Sequence, residues 1–144
     1  MKTYLDKNVY EAALERIAYC FQEFDNVLVA FSGGKDSGVL LNLCYNYADE
    51  HGLLDKLTMY HLDYEAQYQM TTEYVTRTFL EQFPGIRKMW YCVPIKAQSA
   101  CALGEPYWTP WDAAKKKLWV RAMPENPYVV HEGNLDVPFR HGMV

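Results

Sequence analysis

The stretch from Val27 to Ser37 constrains the fold more than any other part of the sequence. Five apolar residues, Val27-Leu28-Val29-Ala30-Phe31, form a run of strand length without polar alternation. Such runs are typical of strands buried on both faces of a parallel sheet. The hexapeptide Ser32-Gly33-Gly34-Lys35-Asp36-Ser37 follows directly, and apolar residues at helical spacing come after it. The sequence therefore predicts a buried strand, a glycine turn and a helix that begins near Ser37.

The flanking segments continue this alternation of helix and strand. We predict a helix after the capping box Asn8-Val9-Tyr10-Glu11, a strand at residues 57–62, a helix at about 71–83 and a strand at 88–93. The resulting order, α-β-α-β-α-β, predicts right-handed crossovers and a parallel sheet. The core-facing helix positions are expected to be Tyr10, Leu14, Ile17, Phe21 and Phe24, then Val39, Leu40, Leu43, Cys44 and Tyr47, then Tyr74, Val75, Phe79 and Leu80.

The length and composition suit a single folded domain covering residues 1–144. Half of the 144 residues are hydrophobic and 15% are aromatic, which is enough apolar surface for a core and argues against disorder. Residues 95–144 form an irregular, aromatic-rich extension of this domain. Within it we predict a loop at 96–104, a short helix capped by Asp112 and a short strand at 128–130.

Charge and cysteine usage narrow the classes of function. The formal net charge of −4 gives no general footprint for nucleic acid, which would require a basic face. No apolar run is long enough for a membrane helix, and the first residues do not resemble a signal peptide. The four cysteines lack the spacing of a zinc site, so we expect a reduced, cytoplasmic protein.

The hexapeptide at residues 32–37, here called the SGGKDS loop, is the segment of the sequence best suited to bind a ligand. Gly33 and Gly34 allow a tight turn and a close approach to a ligand, while the helix that follows offers free N–H groups and its positive dipole end. Ser32 and Ser37 can add hydroxyl donors, and Lys35 adds a charge. The sequence therefore predicts an anion site. An ordinary strand-to-helix turn is the alternative, because serine and glycine are common in such turns.

Asp36 allows two interpretations. A carboxylate beside a pyrophosphate suits Mg²⁺, and an acid in the first turn of a helix is favoured by the dipole in any case. The loop is neither a Walker A sequence nor a G-x-G-x-x-G sequence.

The stretch from Val29 to Ser37 resembles the signature of the pyrophosphate-loop superfamily. That group includes N-type ATP pyrophosphatases, ATP sulfurylase small subunits and phosphoadenosine phosphosulfate reductases. The resemblance implies an adenine nucleotide alpha hydrolase-like fold, a parallel sheet with helices on both faces. It also implies ATP or a sulfonucleotide as ligand, with adenine near Ala30, Phe31, Leu62 and Asp63. Lys35 and Asp36 are then the candidate catalytic residues, with Mg²⁺ as a possible ion at Asp36.

Three further segments resemble reductase-like proteins related to the immunoglobulin-binding regulator A co-activators, which are associated with phages and prophages. They are Asp63-Tyr64-Glu65-Ala66-Gln67-Tyr68, Trp108-Thr109-Pro110-Trp111-Asp112 and Trp119-Val120-Arg121-Ala122-Met123-Pro124. The reductases carry a C-terminal Glu-Cys-Gly-Leu-His motif, whereas this sequence ends Arg140-His141-Gly142-Met143-Val144. Two hypotheses follow: an enzyme acting at the phosphate or sulfate end of the nucleotide, or a nucleotide-binding regulator acting through a protein partner.

Other side chains have competing structural and functional interpretations. Asp63 ends a strand beside the loop and either contacts the ligand or caps a turn. The cationic side chains of the extension could bind an anion, but we favour exposure on a solvated helix face. They are Lys115, Lys116, Lys117 and Arg121. The rings of Trp108 and Trp111 could stack on a nucleotide base, but we favour packing within the protein.

The cysteines and histidines are expected to be structural. Cys20 and Cys44 lie on apolar helix faces, while Cys92 ends a strand near the expected pocket. Cys101 lies in a loop and is the sole plausible nucleophile among the four cysteines, although no histidine is near it in sequence. His61 and His131 lack the spacing of metal ligands.

Overall fold

The computed structural model describes residues 6–98, 103–104 and 106–135 of the chain. Helices α1, α2 and α3 comprise Val9–Glu23, Lys35–Glu50 and Gln69–Glu81. Strands β1 to β6 comprise Val27–Ala30, Leu57–Leu62, Arg87–Tyr91, Ala97–Gln98, Tyr107–Trp108 and Val129–Val130. Two 3₁₀ helices comprise Leu54–Lys56 and Ala113–Leu118.

A four-stranded parallel sheet with the order β1-β2-β3-β6 is the centre of the molecule. It is flanked by helices, as the α/β prediction requires. Strand β2 lies between two neighbours, and its first three residues are fully buried. Strand β6 is only two residues long, but it confirms the strand predicted at 128–130.

The core lies between the sheet and the helices. Phe79 of α3 packs on Trp90 of β3, with ring centroids 5.1 Å apart, and on His61 of β2 at 6.3 Å. Tyr45 of α2 meets Phe83 at 5.1 Å, which joins α2 to the end of α3. These aromatic contacts join the four elements α2, β2, α3 and β3 around one buried cluster.

The helix faces that are buried differ in part from the predicted stripes. Ile17, Phe21, Cys44, Val75 and Phe79 are buried as expected. Several other predicted core positions are exposed, because the helices turn a different face to the sheet and bury Leu41, Ala48 and Thr78 there instead. The predicted positions that are exposed are Tyr10, Phe24, Val39, Leu40, Tyr74 and Leu80.

Strand β1 also differs from its prediction. Val29 is buried, but Leu28 is 57% exposed and Ala30 is exposed, so the strand is not buried on both faces. The reason is its position: among the described residues, β1 forms one edge of the sheet and pairs with β2 alone. An apolar sequence could not reveal this, because an edge strand and a central strand can have the same composition.

The extension contains more regular structure than the sequence indicated. Strands β4 and β5 pair antiparallel, so the predicted loop at 96–104 begins with a strand. Asp112 caps the helix as predicted, its carboxylate accepting the Ala114 amide at 3.0 Å, although the helix is 3₁₀ rather than α. Among the described residues, no helix combines the length and apolar character that crossing a bilayer would require.

Candidate functional site

The SGGKDS loop joins β1 to α2 through a backbone conformation that requires glycine. Gly33 has a φ of +81°, in the left-handed region. A Cβ atom at this position would also lie 2.9 Å from the Cγ2 of Val75 and 3.0 Å from the Cγ2 of Thr71. The turn therefore presses its backbone directly against α3, and any side chain at Gly33 would force the two apart.

Two serine hydroxyl groups hold the loop in shape. The Oγ atoms of Ser32 and Ser37 are 3.0 Å apart, and the Ser37 hydroxyl donates to the carbonyl of Gly34 at 3.0 Å. The amides of Ser32 and Gly34 donate to the Oγ atoms of Ser37 and Ser32, at 3.2 and 3.3 Å. The two hydroxyls thus organise the turn from within, a role that the sequence did not separate from ligand binding.

The start of α2 presents unused donors. The helix begins at Lys35, two residues before the predicted start, and its N-cap Gly34 provides no side-chain hydrogen bond. The first amides of a helix have no partner within the helix. Among the described residues, no acceptor is found for the amides of Gly33, Lys35, Asp36 and Ser37. These donors, the helix dipole and the exposed Lys35 side chain together can hold an anion.

A groove of about 590 Å³ adjoins the loop. Such a volume is within the range of small-molecule clefts. The loop, α2 and Tyr74 of α3 line it, with apolar and amide side chains on α2. The lining residues are Gly33, Gly34, Lys35, Gly38, Val39, Asn42, Leu43 and Tyr74.

Asp63 lies at the end of β2 and is completely buried. Nη2 of Arg121 donates to both carboxylate oxygens at 2.6 Å, and Nε1 of Trp90 donates to Oδ2 at 2.8 Å. The amide of Glu65 donates to Oδ1 at 2.7 Å, which is the predicted turn cap. With these four hydrogen bonds, the side chain of Asp63 is engaged within the protein, which favours its structural interpretation.

Glu65 extends the same network and was not identified from its residue type. It is buried, with a positive φ of 65°. Its carboxylate accepts the backbone amides of Trp111 at 2.9 Å and Val120 at 2.7 Å, and its carbonyl accepts Nε of Arg121 at 2.9 Å. The carboxylate therefore fastens two distant parts of the extension to the end of β2.

Arg121 and Trp111 complete this polar core. Arg121 was expected on a solvated helix face, but its guanidinium lies 5.0 Å from the Trp111 ring and is paired with Asp63, because the chain crosses over the end of β2 here. Trp111 is buried, and its Nε1 donates to the carbonyl of Asp63 at 2.8 Å, so the packing interpretation is confirmed. The network unites the three segments that the narrower family resemblance had singled out.

His61 is a structural residue beneath the loop, as expected. Its Nδ1 lies 2.7 Å from the carbonyl of Phe31 and must be the donor, because a carbonyl only accepts. Burial lowers the pKa of His61, so the ring is neutral at pH 7. The bond fixes the last residue before the loop. His131 is half-buried and accepts the Gly133 amide through Nδ1, which is also a structural role.

The cysteines in the described residues are poorly suited to chemistry. Burial raises the pKa of the Cys44 thiol to about 11, and burial also raises the pKa of Cys92. Cys92 is also buried, so its thiol is not open to a ligand at the pocket edge. Cys20 is only half-buried, contrary to expectation. The expectations for Cys101 and for the C-terminal residues 140–144 lie outside the described residues.

The remaining cations and acids do not gather into a metal site. Lys115, Lys116 and Lys117 are exposed, and Lys115 lies 3.9 Å from Asp112. Trp108 is half-buried in β5. Within the ranges that the structure describes, no three His, Cys, Asp or Glu side chains are placed to hold a metal ion together.

The chain is similar to a curated protein of Escherichia coli (strain K12), the uncharacterized protein YbdN. The two are 33% identical over 124 residues, which is 85% of this chain. The chain spans only 29% of the length of that relative. No protein-family model matches the chain, and no solved structure matches it.

Proposed function

We propose that the chain binds an adenine nucleotide, ATP or a sulfonucleotide, with its phosphate or sulfate groups on the SGGKDS loop. The observation that carries the proposal is the set of unused amides at Gly33, Lys35, Asp36 and Ser37, which lie at or just before the N-terminus of α2. Backbone donors at a helix start favour bound anions, and Lys35 adds a flexible positive charge. Asp36 is exposed in the first turn, where it is free to hold Mg²⁺ against the phosphates.

The proposed adenine contacts follow from which backbone groups are already used. The carbonyls of Phe31 and Asp63 accept His61 and Trp111. The amide of Phe31 donates towards β2, to the carbonyl of Tyr60 at 2.7 Å. Because backbone groups alternate along a strand, those of Ala30 point to the open side of β1. Ala30 is therefore the residue best placed to read the base through its N–H and C=O groups, beside Leu62.

As an enzyme, the chain would act at the phosphate or sulfate end of the ligand. The loop donors and Lys35 would stabilise charge on the transferring group, as phosphoryl-type transition states require. A second candidate is a regulator that binds the nucleotide and acts through a protein partner. The buried, high-pKa thiols of Cys44 and Cys92 favour this candidate over thiol chemistry.

A panel of adenylates tests the proposal. ATP, phosphoadenosine phosphosulfate, AMP and GTP would be titrated by calorimetry, with and without Mg²⁺, and product formation followed in parallel. The proposal expects saturable binding of an adenylate and weaker binding of GTP. Binding without any product would favour the regulator. The absence of binding by every adenylate would refute the proposal, and equal binding of ATP and GTP would show that only the phosphates are recognised.

A further inference from the structure

Two buried polar atoms of the described residues have no hydrogen-bond partner. They are Nε2 of His61 and Oε1 of Gln67. Buried polar side-chain atoms in folded proteins are nearly always paired, so each exception requires an explanation. The two side chains are neighbours. Burial has the largest effect on the pKa of His61 and lowers it, while Gln67 acts on the ring as a hydrogen-bonding group and opposes that effect. One rearrangement can therefore pair both atoms.

The tautomer of His61 shows why the two atoms do not bond as they stand. Nδ1 donates to the Phe31 carbonyl at 2.7 Å, so it carries the single hydrogen of the neutral ring. Nε2 is then an acceptor, and the amide oxygen of Gln67 is an acceptor as well. Two acceptors cannot form a hydrogen bond with each other, so a donor is missing at this position.

The aromatic neighbours of the ring do not supply this donor. Phe79 and Trp90 pack against His61 edge-on, with ring centroids 6.3 and 5.3 Å away. The indole N–H of Trp90 is already used by Asp63. The NH₂ group of Gln67, by contrast, is free to donate. It is also accessible to solvent, because the buried unpaired atoms of the described residues do not include it.

A half-turn of the Gln67 amide pairs both atoms. The oxygen and nitrogen of a side-chain amide are so alike that the hydrogen bonds decide between its two orientations. In the turned orientation the NH₂ group donates to Nε2 of His61, and the carbonyl oxygen takes the accessible position. The hydrogen bonds then run from Gln67 through His61 to the carbonyl of Phe31, the residue before the SGGKDS loop.

Gln67 lines a groove of about 670 Å³, a volume within the range of small-molecule clefts. The groove adjoins the SGGKDS loop through Thr71, whose Cγ2 would lie 3.0 Å from a Cβ atom at Gly33. Its described lining residues are uncharged, so it suits the uncharged part of a ligand whose charged part is held by the loop. They are Tyr64, Ala66, Gln67, Tyr68, Thr71 and Val120.

We propose that Gln67 holds the turned orientation and that its carbonyl oxygen accepts a hydrogen bond from a ribose hydroxyl of the nucleotide. This inference rests on the proposed function, which places the phosphates on the SGGKDS loop and the base at Ala30. If the carbonyl of Ala30 accepts from the adenine amino group, the ribose hydroxyls are the remaining hydrogen-bond donors of ionised ATP. Gln67 thus determines specificity for the sugar, and through His61 it also holds Phe31 in position before the loop.

Nitrogen NMR of the chain without nucleotide, at a pH where His61 is neutral, tests the orientation of the amide. We expect Nδ1 of His61 to carry the hydrogen, and the Gln67 NH₂ group to show a coupling to Nε2 through the hydrogen bond. Gln67→Met should remove this coupling and move the Nε2 resonance. Gln22→Met, at an exposed glutamine of α1, should do neither. A hydrogen on Nε2 in the wild type, which needs no variant to detect, would overturn the proposal, as would an Nε2 resonance that Gln67→Met leaves in place.

Calorimetric titration with ATP and its 2′-deoxy and 3′-deoxy analogues tests the ribose contact. The wild type should bind one of the two analogues about 3- to 10-fold more weakly than ATP, the value of one hydrogen bond. Gln67→Met should bind that analogue and ATP equally, and Gln22→Met should behave as the wild type. A deoxy penalty that persists in Gln67→Met would overturn the proposal. So would a Gln67→Met variant that instead loses discrimination against purine riboside triphosphate, which lacks the amino group. If the wild type binds no adenylate, the proposed function and the ribose contact both fail, whereas the coupling to His61 decides the orientation of the amide independently.

Discussion

Nη2 of Arg121 lies 2.6 Å from both carboxylate oxygens of Asp63, although 58 positions separate the two residues in the sequence. Asp63 is fully buried, and the Arg121 side chain is 22% exposed. Removing one partner of a buried pair leaves an uncompensated charge, which typically costs about 3–5 kcal/mol. We expect Arg121→Met to lower the free energy of unfolding by about that amount, measured by urea denaturation.

The Lys115–Asp112 pair is the matched control for this substitution. Nζ of Lys115 lies 3.9 Å from Oδ2 of Asp112, and the Lys115 side chain is 60% exposed. Lys115→Met should therefore lower the free energy of unfolding by less than about 1 kcal/mol. Similar losses in the two variants would contradict a special role for the Asp63–Arg121 pair.

Gly33→Ala should destabilise the chain and weaken the proposed ligand site. Alanine in the left-handed region costs roughly 1–2 kcal/mol, and the overlap with Val75 and Thr71 adds about 1–3 kcal/mol. Gly52→Ala is the matched control, because Gly52 also has a positive φ of 68° but has no atom within 4 Å of the added Cβ. Urea denaturation of both variants should show a larger loss at Gly33. Equal losses would mean that α3 moves away at no cost.

The sequence predicted the loop and its setting because those features are local. Adjacent residues encode the strand, the two glycines and the helix, and the tight turn requires a glycine at the position of Gly33. The polar core around Asp63 was not predicted as a unit. Its partners come from β3, the end of β2 and the extension, and residue type alone does not show that Arg121 crosses to Asp63. The fact that Glu65 and Arg121 lie in segments with the same family resemblance was the available signal.

The edge position of β1 could not be predicted for a related reason. Strand order depends on which strands pair across the sheet, and Val27-Leu28-Val29-Ala30 would suit a central strand equally well. The predicted burial of Val39 and Leu40 on α2 was wrong for the same reason. Those side chains are apolar, but the described part of the chain places no element over them.

Lys35→Ala should weaken nucleotide binding without unfolding the chain. Lys35 is exposed at the first position of α2, so its loss removes a charge-assisted contact worth roughly 1.5–3 kcal/mol, or about 10- to 150-fold in Kd. Calorimetric titration with ATP measures this. Lys117→Ala, at an exposed lysine outside the loop, should leave the Kd unchanged. Equal affinities of wild type and Lys35→Ala would exclude Lys35 as a ligand contact.

The stability of the chain should fall in mild acid because of His61. Burial lowers the pKa of His61 in the folded state below its ordinary value of 6.5. The unfolded chain therefore binds a proton that the folded chain does not, and stability falls as the pH drops below about 6.5. His61→Asn can still donate an amide hydrogen to the Phe31 carbonyl but cannot titrate. We expect its free energy of unfolding to decline less than that of wild type between pH 7 and 5. Parallel profiles would show that His61 contributes no such dependence.

The chain alone should not reduce a sulfonucleotide with thioredoxin. A thiol mechanism needs a reactive thiolate that can reach the sulfate. Burial raises the pKa of Cys44 to about 11 and also raises that of Cys92, so both thiols remain protonated at neutral pH. Cys20 lies on α1, the helix packed against α2. Incubation with phosphoadenosine phosphosulfate and reduced thioredoxin should therefore release no sulfite.

Cys101→Ser is the decisive companion to that assay, because Cys101 follows β3 in the sequence and is the remaining cysteine. Sulfite released by wild type and lost in Cys101→Ser would make Cys101 the nucleophile and would favour the enzyme over the regulator. Sulfite released equally by both proteins would require Cys20, Cys44 or Cys92 to ionise, against the burial of the last two. If neither protein releases sulfite while both bind the nucleotide by calorimetry, the site holds its ligand without thiol chemistry. The remaining enzymatic option is then attack at the phosphate groups held by the SGGKDS loop.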